Sequence, residues 1–184
     1  MYQHLDGSLW RNIWLVGDLH GCLALLAAKL RLLRFDPYQD LLISAGDLID
    51  RGPQSAATLG LLDRRWFRAV RGNHEQMALE AQESGKMALW MLNGGRWYQE
   101  SSSEARRQMA PLFALCGRLP LIIELRAGSQ THVIAHADYP AACYRWQQPV
   151  DATQVLWNRQ RLTEHLAGRH GAIGGADHFW FGHT

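Results

Sequence analysis

The sequence predicts an α/β fold with a parallel βαβαβ core, on three observations. Apolar runs at residues 11–16, 40–45 and 66–70 each lead into a glycine followed by a polar donor, at Gly17-Asp18, Gly46-Asp47 and Gly72-Asn73. Those donors stand 29 and 26 residues apart, which fits the roughly 30-residue length of a βαβ unit. Stretches with helical spacing fill the intervals. Parallel strands of this kind bring their carboxyl ends to one rim, where open α/β sheets hold their ligands.

The first strand is followed by a predicted amphipathic helix over 22–33, with Leu23, Leu26, Leu30 and Leu33 on one stripe. The second leads into a helix over 54–62 that starts after Pro53, a residue suited to a first helical turn. The third leads into a helix over 75–83. A helical insert is expected at about 86–118: a short helix over 86–92, a break at Gly94-Gly95, then a helix to about 115 capped near Ser101–Glu104, where the acidic residue has capping-box spacing. Residues 121–125 and 131–135 flank Ala127-Gly128-Ser129-Gln130 and read as a hairpin whose second strand runs into His136. A last short strand at 179–181 runs into Gly182-His183. The expectation is one domain spanning residues 1–184.

Composition excludes several functions. The chain is 47% hydrophobic and 20% charged, ordinary for a globular domain. No apolar stretch approaches the ~20 residues of a membrane span. The amino terminus lacks a basic start and an apolar segment with a cleavage site, so a cytoplasmic protein is expected. A net charge of +2, with basic residues scattered, gives no nucleic-acid footprint. Cys22, Cys116 and Cys143 are odd in number and lack CxxC spacing, which predicts reduced, mostly buried thiols.

The chemistry lies in five clusters: Gly17-Asp18-Leu19-His20-Gly21, Gly46-Asp47-Leu48-Ile49-Asp50-Arg51-Gly52, Gly72-Asn73-His74-Glu75, His136-Ala137-Asp138 and Gly182-His183. Asp18, His20, Asp47, Asn73, His136 and His183 are oxygen or imidazole donors at or just beyond the ends of apolar segments. Any one of them alone reads as a cap or a surface residue. Together they read as a dinuclear metal site, and a donor set without thiolate suits manganese, iron or zinc. His4, His132, His165, His170 and His178 have no motif around them and are expected to be surface or packing residues. The eight tryptophans, Trp90, Trp97, Trp157 and Trp180 among them, read as core and rim packing.

The order of these clusters resembles the metal-dependent serine/threonine phosphoprotein phosphatases, within the calcineurin-like metallophosphoesterases, and most closely their bacterial and phage-lambda branch. Leu156-Trp157-Asn158-Arg159 and Asn93-Gly94-Gly95 add to the likeness, which runs from Trp10 to Thr184. The resemblance implies a four-layer α/β/β/α sandwich of mixed sheets around the βαβαβ core. It implies that Asp18 and His20 hold one metal, that Asn73, His136 and His183 hold the other, and that Asp47 bridges them. It further implies two divalent ions, most simply Mn(2+), whose bound hydroxide attacks a phosphoserine or phosphothreonine monoester, phosphotyrosine being a further candidate. Arg51 and Arg159 would clamp the phosphate, His74 would protonate the leaving oxygen, and Asp50 would orient it and hold it charged. Glu75 would support the loop or the helix start.

Phosphorylated proteins are the implied substrates, in a signalling role, with no nucleic-acid or membrane partner. Family members continue past the last metal ligand, so the resemblance also implies a chain lacking its last strands, with a weakened second metal site. Two alternatives stand beside the phosphatase reading. One is a symmetrical diadenosine tetraphosphate hydrolase, which shares the metal motifs; Asp50-Arg51 and Glu75 favour the phosphatases over it. The other is an inactive fragment that binds phosphoproteins.

Overall fold

The computed structural model describes residues 1–169 and 171–184. In chain order it contains β1 (Tyr2–Asp6), β2 (Ile13–Val16), α1 (Leu23–Leu32), β3 (Leu41–Ser44), α2 (Ser55–Leu59), β4 (Phe67–Ala69), α3 (Asn73–Ser84), α4 (Ala88–Trp90), α5 (Arg96–Glu100), α6 (Ser103–Arg118), β5 (Ile122–Ala127), β6 (Gln130–Ala135), α7 (Ala152–Trp157), α8 (Gln160–Leu166) and β7 (His178–Trp180). None of the helices is long and apolar enough to cross a membrane among the described residues.

Two sheets form. β2, β3 and β4 are parallel, as the βαβαβ spacing predicts. The second sheet has the order β1-β5-β6-β7 and is mixed: β5 and β6 form the antiparallel hairpin, while β1 and β7 add in parallel on either side. The period-2 alternation of strands then decides the layering. In β3, Leu42 faces a core shared with α1, α3 and α6, whereas Leu41 and Ile43 face Ile123, Leu125 and Ile134 of the other sheet. In turn Ile122, Val133 and Ala135 point outward, onto Tyr139, Tyr144, Val155 and Leu156. Helices, sheet, sheet and an outer layer carrying α7 therefore stack in the expected four layers.

Several local expectations are corrected. α3 starts at Asn73 rather than 75, so Asn73 and His74 lie in its first turn. The cap of α6 is Ser102, whose hydroxyl accepts from the Ala105 amide; Glu104 pairs instead with Arg107 and Gln108, and no capping box forms from Ser101. α6 also runs on to Arg118. Gly94-Gly95 kinks the chain rather than ending the helical path, because Gly94 takes φ 110° inside a π-turn that joins α4 to α5. β1, α7 and α8 have no predicted counterpart. All three cysteines are free, but only Cys116 is buried; Cys143 is exposed.

Phe67 is 1% exposed in the core beneath the helices. Phe67→Ala removes a ring that its neighbours cannot replace, and is expected to cost about 3–5 kcal/mol of unfolding free energy. Urea denaturation of both chains checks this as a lowered midpoint with an unchanged slope.

Candidate metal centre

The loops after β2, β3 and β4 and those after β6 and β7 converge at one edge of the sandwich. Their backbones are tied together before any side chain is considered. The Leu19 and His20 amides both donate to the Asp47 carbonyl, at 3.0 and 2.8 Å, and the Gly182 amide donates to the His136 carbonyl at 2.7 Å. Gly72 is required by close approach: a Cβ there would stand 2.1 Å from the Asp47 Oδ1. Backbone strain marks the same place. Among the described residues, seven other than glycine have positive φ, and His20, Asp47, Asp50, Arg51 and His183 are five of them. Left-handed backbone at such side chains is unfavourable and gathers at functional sites.

All six predicted metal-ligating side chains lie within this convergence. His20, Asp47 and His74 form one group with potential ligand atoms within 4.8 Å of one another; Asp47, His136 and His183 form a second, and Asp47 belongs to both. The Asp18 carboxylate is 3.9 Å from His20 Nε2 and accepts from the His183 amide with both oxygens, at 2.9 and 3.1 Å. His74 enters the first group where the resemblance implies Asp18. Its Nδ1, however, is committed to Asp50 Oδ2 at 2.7 Å, and its Nε2 faces the Arg51 guanidinium at 3.1 Å.

The hydrogen bonds settle the tautomers. A carbonyl oxygen can only accept, so His20 Nδ1–H donates to the Ile49 carbonyl at 2.9 Å and His136 Nδ1–H donates to the Ala45 carbonyl at 2.7 Å. Both rings then present Nε2 to the site, the orientation that backbone carbonyls impose on metal-binding imidazoles. His136 Nε2 lies 2.9 Å from Asn73 Oδ1, 3.2 Å from His183 Nδ1 and 3.4 Å from Asp47 Oδ2, and His183 Nδ1 is 3.0 Å from Asn73 Oδ1. With His136 neutral, this is a convergence of lone pairs that a cation satisfies. The donor set fits two divalent ions on that ground.

Titration behaviour follows. Burial opposes ionisation of Asp47, yet His136 and His74 hold it down to about 2. Burial likewise resists charging His136, and the Asp47 carboxylate outweighs it, so the His136 pKa is raised. His183 is pushed down to about 4 by burial and by His136 and Arg159 beside it. Glu75 is fully buried, and burial with the nearby Asp47 charge pushes it up to about 7, against the pull of its backbone donors.

A cavity of about 320 Å³ opens over this cluster, lined by Asp47, Arg51, Asn73, Asn93, Trp157, Arg159 and His183. Both predicted phosphate-binding arginines therefore face one space. Arg51 Nη1 is 2.8 Å from His20 Nε2, placing positive charge at the first donor group. Arg159 is anchored near the other, with Nη2 3.5 Å from the His183 carbonyl.

Three residues that the motifs left without a role also shape the site. Asp138 accepts from Asn158 and Arg161, which fixes the turn that carries Arg159. Trp90 and Trp97 both donate indole N–H groups to Asp50. For Asp138 a local signal existed in His136-Ala137-Asp138; for the tryptophans none did, because the contacts span 40 and 47 residues. His132 and His178 stack on each other on neighbouring strands, as packing residues do, and His170 lies outside the described residues.

The depressed pKa of His183 sets the sign of one pH effect. Between about 4 and its ordinary 6.5 the unfolded chain binds a proton on this ring that the native chain does not. Its contribution to metal-free stability is therefore complete above 6.5 and is lost as pH falls toward 4. His183→Asn is expected to flatten that part of the stability profile, as measured by urea denaturation of chelator-treated protein across this range.

Comparison with known proteins agrees with the geometry. The family model for calcineurin-like phosphoesterases matches residues 11–184. The chain is 55% identical to serine/threonine-protein phosphatase 1 of Salmonella typhimurium over its whole length and 83% of that relative. It is 42% identical to serine/threonine-protein phosphatase 2 of Escherichia coli, over 99% of this chain and 84% of that one. Similarity to symmetrical bis(5'-nucleosyl)-tetraphosphatases is more local: 49% identity with the Pseudomonas syringae protein covers 34% of this chain and 22% of the relative. Among solved structures, a candidate diadenosine tetraphosphatase superimposes with a TM-score of 0.57 at 30% identity, over 81% of this chain and 57% of that one. With its mixed sheet, its stacked layers and its paired donor groups, the chain belongs to the calcineurin-like phosphoesterase family, hydrolases whose membership implies two divalent metals.

Proposed function

We propose that this protein is a metal-dependent phosphoprotein phosphatase that hydrolyses phosphoserine and phosphothreonine monoesters. The observation that carries the reading is one carboxylate, Asp47, common to two donor groups beneath a cavity that Arg51 and Arg159 both line. The names of the Salmonella and Escherichia relatives support the substrate class. In this reading Asp18, His20 and Asp47 hold one ion, and Asp47, Asn73, His136 and His183 hold the other. Two divalent ions, manganese by analogy with the bacterial branch, supply Lewis acidity for the phosphoryl oxygens and make water at the site more acidic.

The chain's own residues do the rest. The planar guanidinium forks of Arg51 and Arg159 bind the phosphoryl oxygens and match the negative charge that spreads over them. His74, held through Nδ1 by Asp50 and with its other nitrogen beside Arg51 of the cavity lining, gives a proton to the serine or threonine oxygen as the P–O bond breaks. Phosphorus takes its new oxygen directly from water, so no residue of the chain becomes phosphorylated. Residues 1–184 act as one catalytic domain, with the segment at 86–118 inserted over the parallel sheet. A cytoplasmic signalling role is consistent with such substrates.

Turnover of p-nitrophenyl phosphate and a phosphoserine peptide by the purified chain, with manganese and after chelation, tests this reading. Turnover of both is expected with manganese and not after chelation, and His74→Asn is expected to lower peptide turnover by about 10²–10⁴-fold. The identity to tetraphosphatases gives a second reading, hydrolysis of diadenosine tetraphosphate. Turnover of that dinucleotide without turnover of the peptide would establish it in place of the first.

A further inference from the structure

Asp50 has more partners than a proton-donor pair requires. Its side chain is fully buried. Oδ2 accepts from His74 Nδ1 at 2.7 Å and from Trp90 Nε1 at 2.9 Å; Oδ1 accepts from Trp97 Nε1 at 2.7 Å and from Trp90 Nε1 at 3.1 Å. An ionised carboxylate offers about four lone-pair positions, and these contacts engage both oxygens on both sides. The Asp50 backbone is held separately, its amide donating to the Ser55 hydroxyl at 2.9 Å and its carbonyl accepting from the Gly52 amide at 2.7 Å. Asp50 and Arg51 take φ 73° and 66°, outside any helix or strand. The carboxylate is therefore oriented by what it touches, and two of its three donor groups come from the helical segment over the sheet.

That segment is built to bring the indoles in. Trp90 is the last residue of α4 and Trp97 the second of α5, and the π-turn between them turns both rings toward Asp50. Gly95 is required there, because a Cβ would stand 2.6 Å from the Trp90 Nε1. Phe113 of α6 braces both rings, edge-on to Trp90 at 6.0 Å and stacked on Trp97 at 6.4 Å with 15° between planes.

We propose that Trp90 and Trp97 are positioning residues for the phosphatase reaction: their indole N–H groups fix the Asp50 carboxylate, and through it the aim of the His74 ring at the leaving oxygen. This rests on the reading of His74 as the proton donor. Were either indole N–H lost, the buried carboxylate would keep only His74 and one indole as donors and would reorient to make up the lost bond. The bond it makes to His74 Nδ1 would shift with it.

The leaving group separates this role from simple packing. Nitrophenolate departs as a stable anion without a proton, whereas a serine alkoxide needs one. Trp97→Phe leaves an aromatic ring beside Phe113 and removes the donor along with part of the indole's volume. Its kcat on the phosphoserine peptide is expected to fall about tenfold further than its kcat on p-nitrophenyl phosphate, with peptide KM within about twofold of the parent chain's. Trp90→Phe is expected to show the same excess. Partial unfolding lowers both substrates equally, so the ratio stays readable even in a destabilised variant. Equal losses on the two substrates, or no loss on the peptide, would overturn the proposal. His74→Asn run alongside distinguishes the levels: an excess there without one in the tryptophan variants overturns the positioning role alone, whereas no excess in His74→Asn removes the proton-donor reading and the inference with it.

Discussion

The site hangs from the carboxylate of Glu75. It accepts from the amides of Asp47 at 2.9 Å, Leu48 at 2.8 Å, Ile49 at 3.4 Å and Gly72 at 2.9 Å, all out of contact with water. A charge buried without partners is very costly, so a carboxylate in this position persists because unpaired backbone donors surround it. Those donors belong to the loop after β3 and to the cap of α3, and the bond pins one to the other. From there the order spreads outward: the Asp47 carbonyl holds the Leu19 and His20 amides, and the Ala45 carbonyl holds His136. A local requirement for hydrogen-bond satisfaction thus fixes loops from four strands in one arrangement.

The same economy of donors and acceptors explains the electrostatics. The proposed metal ligands face one another with lone pairs because their donor atoms are used elsewhere, on the backbone carbonyls of Ile49 and Ala45. Negative charge at Asp47 is retained by neighbouring imidazoles, and positive charge enters from Arg51. Strained backbone at His20, Asp47, Asp50, Arg51 and His183 is tolerated because packing on both sides leaves these residues no alternative. The rigid sandwich behind them supplies that packing, through β3, whose four residues are all buried.

Much of this was legible along the chain. Strands β2, β3 and β4, helix α1 and the β5–β6 hairpin follow from local apolar periodicity and from turn residues such as Gly128, which sits at φ 61° between the hairpin strands. β1 was not legible, because a short strand with the half-buried, partly polar pattern of Tyr2–Asp6 is stabilised by pairing with β5, some 120 residues away. α3 starts earlier than local propensity predicts because Asn73 and His74 are poor interior helix residues, and it is the reach of Glu75 back to the Gly72 amide that draws them into the first turn. The outer α7 is too short for a helical period to be read and owes its place to Val155 and Leu156 on the second sheet, whereas α8 has no buried residue and is tied down through Arg161 to Asp138.

By itself the sequence determined the donor types and their order. Three strand-end motifs at βαβ spacing, with two later histidines, specify which side chains reach the rim, because strand periodicity and chain direction are local properties. Tertiary structure alone decided which nitrogen His20 and His136 present, and that Trp90 and Trp97 reach Asp50. Each of these depends on distances between segments far apart in the chain. No periodicity encodes such distances; they are set by the packing of two sheets and their helices into one set of layers.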